Sequence, residues 1–169
     1  MNIFRFSLMM AFALTIFTSC SEGSGRSKTS GQTVRFSGQI IDGGNKVVGI
    51  NRISLRGNKS MVMSTTADGR GNFSMETPDP LPQGIYQFAV GSKGVTFVLT
   101  GDDHDITING KYNEIDRYKF KMKGSEVTEH QIYAFNNMIN DKWPKEQIIK
   151  YMSEHDNQLI ALQTGLAFM

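Results

Sequence analysis

VRFSGQIIDGGNKVVGI, residues 34–50, alternates apolar and polar side chains on both sides of a four-residue turn. Val34, Phe36, Gly38 and Ile40 share one face, with Arg35, Ser37 and Gln39 on the other. Period two marks a strand with one buried face. Asp42-Gly43-Gly44-Asn45 tolerates positive φ and is expected to close a hairpin. Past the turn, Val48 and Ile50 have one parity while Ile53 and Leu55 have the other. A bulge around Asn51-Arg52 accounts for that switch.

Further short strands are expected at Met61–Thr65, Phe73–Glu76, Ile85–Val90, Val95–Thr100, Asp105–Asn109 and Arg117–Met122. They repeat at the roughly 8–12-residue spacing of a sandwich, with Gly, Asp or Pro between them. The fold class is therefore mostly β. An antiparallel β-sandwich-like domain over residues 34–124 is expected, followed by a C-terminal α-helical segment over residues 125–169.

After Gly124 the period lengthens. Ser125 can cap a helix whose first turn carries Glu126 and Glu129, placed against the positive end of the dipole. Ile132, Phe135, Met138 and Ile139 then fall at helical spacing. Pro144 restarts the chain at a first-turn position, and Ile148, Tyr151 and Met152 line a second helix ending near His155. A third helical run from about Asn157 carries Leu159, Ile160, Leu162, Leu166 and Phe168 and has no polar finish. A stripe through Leu159, Leu162, Leu166 and Phe168 predicts a protein partner or a further domain that would cover it.

The leader locates the protein better than it explains it. Residues 1–19 combine a basic start at Arg5 with an apolar run from Phe6 to Phe17. That run is shorter than the about 20 residues a spanning helix needs and suits a signal-peptide core of roughly 7–15 residues. Phe17-Thr18-Ser19-Cys20 resembles the bacterial lipobox, with Phe17 where Leu is usual. Cys20 is the only cysteine and is expected to carry the lipid; a plain secretory signal cleaved elsewhere is the alternative. Residues 20–33 then read as a flexible Ser/Gly-rich tether. With residues 1–19 removed, 17 Lys and Arg face 16 Asp and Glu, so the basic surplus of a nucleic-acid binder is missing. The expected location is the cell envelope, anchored to a membrane and facing the periplasm.

Five segments, in order, carry a resemblance: FSGQI (Phe36–Ile40), TTADGRGNFSM (Thr65–Met75), GIYQF (Gly84–Phe88), FVLTGDDHDITING (Phe97–Gly110) and MKGSEVTEHQIYAF (Met122–Phe135). Together they resemble the N-terminal domain of unknown function that precedes a thioredoxin-like domain in many Bacteroidetes thiol–disulfide oxidoreductase lipoproteins. Tyr151–Gln163 is similar to the helical connector ahead of that domain. The resemblance implies an accessory domain that positions or dimerises a thioredoxin-like partner. The Cys-x-x-Cys pair of the catalytic part has no counterpart in this chain. Dithiol exchange needs an attacking thiolate and a resolving thiol, so no catalytic residue is expected here. An intact gene product extending past Met169 could still be an oxidoreductase.

Candidate sites are sparse. Asp102, Asp103 and Asp105 flank His104 and could offer oxygen ligands to Ca²⁺, though a solvated hairpin between Phe97–Leu99 and Ile106–Ile108 is the plainer expectation. Asp68-Gly69-Arg70-Gly71-Asn72 lacks the strand–loop–helix setting of a phosphate cradle and is expected to be a turn into the strand at Phe73. Arg117, Lys119, Lys121 and Lys123 alternate with Tyr118, Phe120 and Met122. These bases could meet an anionic surface or simply guard an edge strand. His104, His130 and His155 fall on different elements, and with no cysteine to join them no zinc site is expected. No Gly-x-Ser-x-Gly elbow is present, and Trp143 at the bend before Pro144 is expected to pack. No cofactor is implied. The expected function is a non-catalytic envelope module, with a stand-alone sandwich that captures glycan or peptide as the alternative.

Overall fold

A computed structural model describes residues 33–154; the leader, Cys20, the tether up to Gln32, His155 and the run from Asn157 with Leu159, Leu162, Leu166 and Phe168 lie outside the described residues. The strands are β1 (Val34–Ile41), β2 (Val47–Ile53), β3 (Lys59–Thr66), β4 (Asn72–Thr77), β5 (Gly84–Val90), β6 (Lys93–Leu99), β7 (Asp105–Lys111) and β8 (Phe120–Lys123). Two helices follow, α1 (Glu126–Asn136) and α2 (Lys145–Glu154). The strands form two four-stranded sheets, ordered β4-β1-β7-β8 and β3-β2-β5-β6. All pairings are antiparallel except β1 with β7, which is parallel. This is a β-sandwich-like fold, mostly β, with its helices at the C-terminal end. Among the described residues no helix is long and apolar enough to cross a membrane.

Inward-facing alternate positions build one core. Val34, Phe36 and Ile40 of β1 meet Val48, Ile50, Tyr86, Phe88, Val95 and Phe97 of the other sheet, with Ile106 and Ile108 beside them. Ring pairs knit the layers together: Phe36 with Phe97 at 6.2 Å and Phe73 with Phe88 at 5.9 Å between centroids. Edge-on and tilted pairs of this kind add to the area they bury. The parity switch in β2 coincides with an irregularity at Ile50/Asn51, and the unpaired residue sits on β3, at Val62. Leu55, expected on a strand, lies in the turn beyond β2 and is 95% exposed.

Two expected hairpins are crossovers. The strands flanking Asp42–Asn45 belong to different sheets. The turn does use positive φ, at Asp42 (63°) and Asn45 (60°). Its donors, however, go to the β3–β4 turn: Asn45 N–H reaches the Ala67 carbonyl at 3.2 Å, and Ala67 N–H returns to Lys46 O at 3.0 Å. A turn that lets Ile40 and Val48 face each other across the core buries more apolar surface than one that sets them side by side. The Gly101–Asp105 loop likewise carries the chain from β6 to β7 in the opposite sheet. The turn at Asp68–Asn72 does feed β4, again across the sheets.

A third correction concerns Arg117–Met122. Residues Tyr112–Arg117 form a 3-10 helix, and Tyr118 closes it at φ 55° with its N–H on Ile115 O at 3.0 Å. Burial of Ile115 and Tyr118 holds this turn, so the strand begins only at Phe120. Arg117 is therefore not on a strand with Lys121 and Lys123.

Helix α1 starts as expected. Ser125 Oγ accepts the Thr128 N–H at 3.4 Å, and Glu129 Oε1 accepts the Gly124 N–H at 3.0 Å. Ile132 and Phe135 enter the sandwich core, whereas Met138 is half-buried and Ile139 largely exposed in a π turn, Asn137–Asp141. The helix lies against β6 and β8, the edge strands on one side of the sandwich.

Candidate functional site

Strand β8 and its neighbours carry a basic surface. In register across the sheet, Gln39 of β1 faces Asn109 of β7, and Asn109 faces Lys121 of β8. One step along, Ile41 pairs with Lys111. Alternation puts these side chains on the outer face of the sheet, exposed, with Lys123 further back along β8. Lys119 joins them from the residue before the strand. They border a groove of about 470 Å³ that Gly110, Phe120 and Asn136 of α1 also line. A second depression of about 410 Å³ adjoins it, sharing Phe120, Lys121 and Asn136 and reaching Lys123, Glu129 and Tyr133.

Of the four bases expected to share a strand face, the structure brings Lys119 and Lys121 to the first groove and Lys121 and Lys123 to the second. Arg117 lines neither; its carbonyl accepts from the Asn140 amide at 3.0 Å. Lys111, Gln39, Asn109 and Asn136 were absent from the expectation. Lys111, Lys119, Lys121 and Lys123 make no ion pair within 4.0 Å among the described residues. Glu114 is the one carboxylate on the rim of the first groove.

The acidic turn is not assembled as a ligand set. Asp103 is buried and folds back on Thr100, accepting its N–H at 2.7 Å and its hydroxyl at 3.0 Å. Asp102 and Asp105 are exposed. Asp68 is also satisfied internally. Its carboxylate takes Asn72 Nδ2, Asn72 N–H and Arg70 N–H, each at 2.8 Å. The Asn72 side chain and backbone hold the Asp68 carboxyl below its usual range. Among the described residues, no group of three or more His, Cys, Asp or Glu could hold a metal ion.

Two further clusters stand out. At the β5–β6 turn, the Ser92 hydroxyl meets the Tyr112 hydroxyl at 3.1 Å, while Lys46 Nζ lies 4.5 Å and Lys93 Nζ 5.7 Å from the ring centroid. The Ser92 hydrogen bond, with both ammonium groups nearby, lowers the Tyr112 pKa, and Lys93 lowers that of Asp116, its partner at 2.7 Å. At the α1–α2 bend, Trp143 lies between Tyr133, edge-on at 5.8 Å, and Tyr151, tilted at 5.5 Å between centroids. The Tyr151 hydroxyl donates to His130 O at 2.9 Å, and burial, with Tyr133 nearby, pushes the Tyr151 pKa up to about 12. Trp143 thus packs at the bend, while Tyr133 keeps 56% of its surface exposed.

No protein-family model and no curated protein matches the chain. Among solved structures it is similar to (S)-allantoin synthase at 12% identity and a TM-score of 0.36, over 56% of this chain and 44% of that one. It is also similar to transthyretin from Sparus aurata, at 10% identity and 0.35, over 53% of this chain and 93% of that one. Likeness this slight leaves the residues themselves as the guide to function.

Proposed function

We propose that the chain is a non-catalytic module of a membrane-anchored envelope lipoprotein. It is the accessory domain of a thiol–disulfide oxidoreductase system, exported to face the periplasm, and it positions or dimerises a thioredoxin-like domain. The observation that carries this reading is the fastening of α1 to the sandwich through Thr128, Gln131 and Val98. A helix fixed there holds α2, and whatever follows α2, at a set orientation to the sheets. The ring cluster of Tyr133, Trp143 and Tyr151 stiffens the bend between the helices. The lone Cys20 serves attachment and leaves no dithiol for turnover.

The test joins two measurements: the reading frame beyond the Met169 codon, and disulfide reduction by the purified polypeptide alone. A downstream Cys-x-x-Cys domain with an inert isolated polypeptide is the expected pair of results. Reduction or shuffling of disulfides by the polypeptide itself would overturn the proposal. So would a stop codon together with no thioredoxin-like protein recovered by crosslinking in cells. The second reading, a stand-alone sandwich capturing glycan or peptide, is favoured by the exposed Tyr133 ring beside the second depression. Saturable binding on a glycan array, lost in Tyr133→Ala, would select it.

A further inference from the structure

The groove between β1, β7 and β8 has a one-sided inventory of hydrogen-bonding groups. Lys111, Lys119 and Lys121 bring three ammonium groups to its rim, and an ammonium only donates. Two amides add to them in a fixed sense. The Gln39 backbone N–H donates to Asn109 Oδ1 at 3.0 Å, which leaves the Asn109 amide nitrogen as an unused donor. Asn140 donates to two carbonyls, those of Arg117 and Asn136, so it also presents nitrogen to Asn136 Oδ1 at 2.7 Å. The Asn136 amide nitrogen is therefore left over as well. Neither nitrogen has a partner among the described residues. Against these five donors stand the Glu114 carboxylate and the free Gln39 side-chain oxygen, whose own amide nitrogen is committed to Arg70 O at 3.2 Å.

Edge protection explains part of this surface but not all of it. Outward lysines on β8 guard that strand. Lys111 lies at the end of β7, an interior strand, and Lys119 lies before β8 begins, yet both border the same concavity. Ile41, 48% exposed, adds an apolar wall.

We propose that this groove binds a phosphate ester of sugar or glycerol size. The phosphate oxygens meet Lys111, Lys119 and Lys121 and the Asn109 amide, and the carbon part rests against Ile41. Several oxygens on one small group match several donors round one groove, and charge-assisted hydrogen bonds are the strong kind. The site is independent of the accessory-domain reading and stands or falls apart from it.

Glycerol 3-phosphate is the probe, titrated into the full-length protein at low ionic strength and followed by ligand-detected saturation-transfer NMR, with glycerol as the uncharged control. Saturable binding is expected for the phosphate ester and none for glycerol. Lys119→Gln and Lys121→Gln are each expected to weaken binding on the order of tenfold, the scale of one lost charge-assisted contact. Lys59→Gln on the opposite sheet is expected to change nothing, and Glu114→Gln to tighten binding. Competing vesicles identify the source. Displacement by phosphatidylglycerol but not phosphatidylcholine assigns the site to a lipid headgroup, and no displacement by either assigns it to a soluble ester. The proposal is overturned by a failure to saturate, by equal binding of glycerol, or by losses no greater in the groove variants than in Lys59→Gln.

Discussion

The Val98 N–H donates to Gln131 Oε1 at 2.9 Å, and the carbonyl of the same residue accepts from Thr128 Oγ1. Strand β6 is the edge of its sheet, so a ninth strand would have occupied those two groups. Helix α1 supplies their partners from side chains one turn apart. Two residues earlier, Thr96 N–H donates to the Tyr118 hydroxyl at 3.2 Å, and that hydroxyl lies 3.1 Å from Thr96 O. An edge that would otherwise invite pairing with another chain is closed by side chains.

Gln131→Leu leaves the buried Val98 N–H without that partner. An unsatisfied buried donor costs about 1–3 kcal/mol, and Gln131 and Thr128 are both fully buried. Urea unfolding is expected to show a stability loss of that size, read as a lower midpoint with an unchanged slope. Thr128→Val strips the carbonyl in the same way. If both variants unfold within about 0.5 kcal/mol of the parent, the scale of an ordinary surface substitution, the helix is not what satisfies β6.

Gly71 and Gly57 separate steric clash from backbone strain. Both sit at positive φ, 83° and 79°. A Cβ at Gly57 would meet nothing within 4 Å, whereas one at Gly71 would lie 2.0 Å from the Ile40 carbonyl oxygen. Gly57→Ala is expected to lose about 1–2 kcal/mol, the left-handed cost alone. Gly71→Ala is expected to lose upwards of about 4 kcal/mol or fail to fold, since backbone must move. Thermal unfolding of the pair decides it: equal losses would mean that the contact between the β1 end and the β3–β4 turn is loose.

What was legible in the chain follows from how local each signal is. The alternation at Val34–Ile40 and the Ser125 cap depend on near neighbours, and both stand in the structure. Asp42–Asn45 reads as a hairpin turn and is a crossover, because the same four residues serve either and the choice lies with Ala67, more than 20 residues on. Tyr118 reads as a strand residue because alternation cannot register a single left-handed step. The groove was half visible. Lys119 and Lys121 stand out, while Asn109 and Lys111 join them through the antiparallel pairing of β7 with β8 and Gln39 only through the parallel pairing of β1 with β7. The β1–β7 pairing links residues 70 apart and leaves no trace in either segment.

Stability is expected to fall at both ends of the pH scale for identifiable reasons. The folded Asp68 pKa is depressed below 3.8, so its contribution is present above the unfolded value and is lost as pH drops through the folded one. Tyr151 behaves oppositely. Its folded value is raised from 10.0 to about 12, so its contribution is present below pH 10 and is lost as pH rises from there to about 12. Unfolding free energies measured across pH should show the acid limb flattened in Asp68→Asn and the alkaline limb flattened in Tyr151→Phe. A variant whose limb matches the parent's would remove that residue from the account.

Cys20→Ser bears on where the protein resides. A single acyl chain gives marginal, reversible membrane binding, while several on one residue hold firmly. On the proposed lipidation the parent is expected to stay with the membrane fraction through a high-salt wash, which screens the lysines around β8. Cys20→Ser, with its leader intact, is expected in the soluble envelope fraction. If the proposed lipid is the tether, Lys119→Gln and Lys121→Gln are expected to leave the parent's partition unchanged. Membrane retention of Cys20→Ser that survives salt would place attachment in the leader, and retention that salt abolishes would place it on the basic face. Either result removes lipidation as the tether, because a serine at that position offers no thiol to acylate.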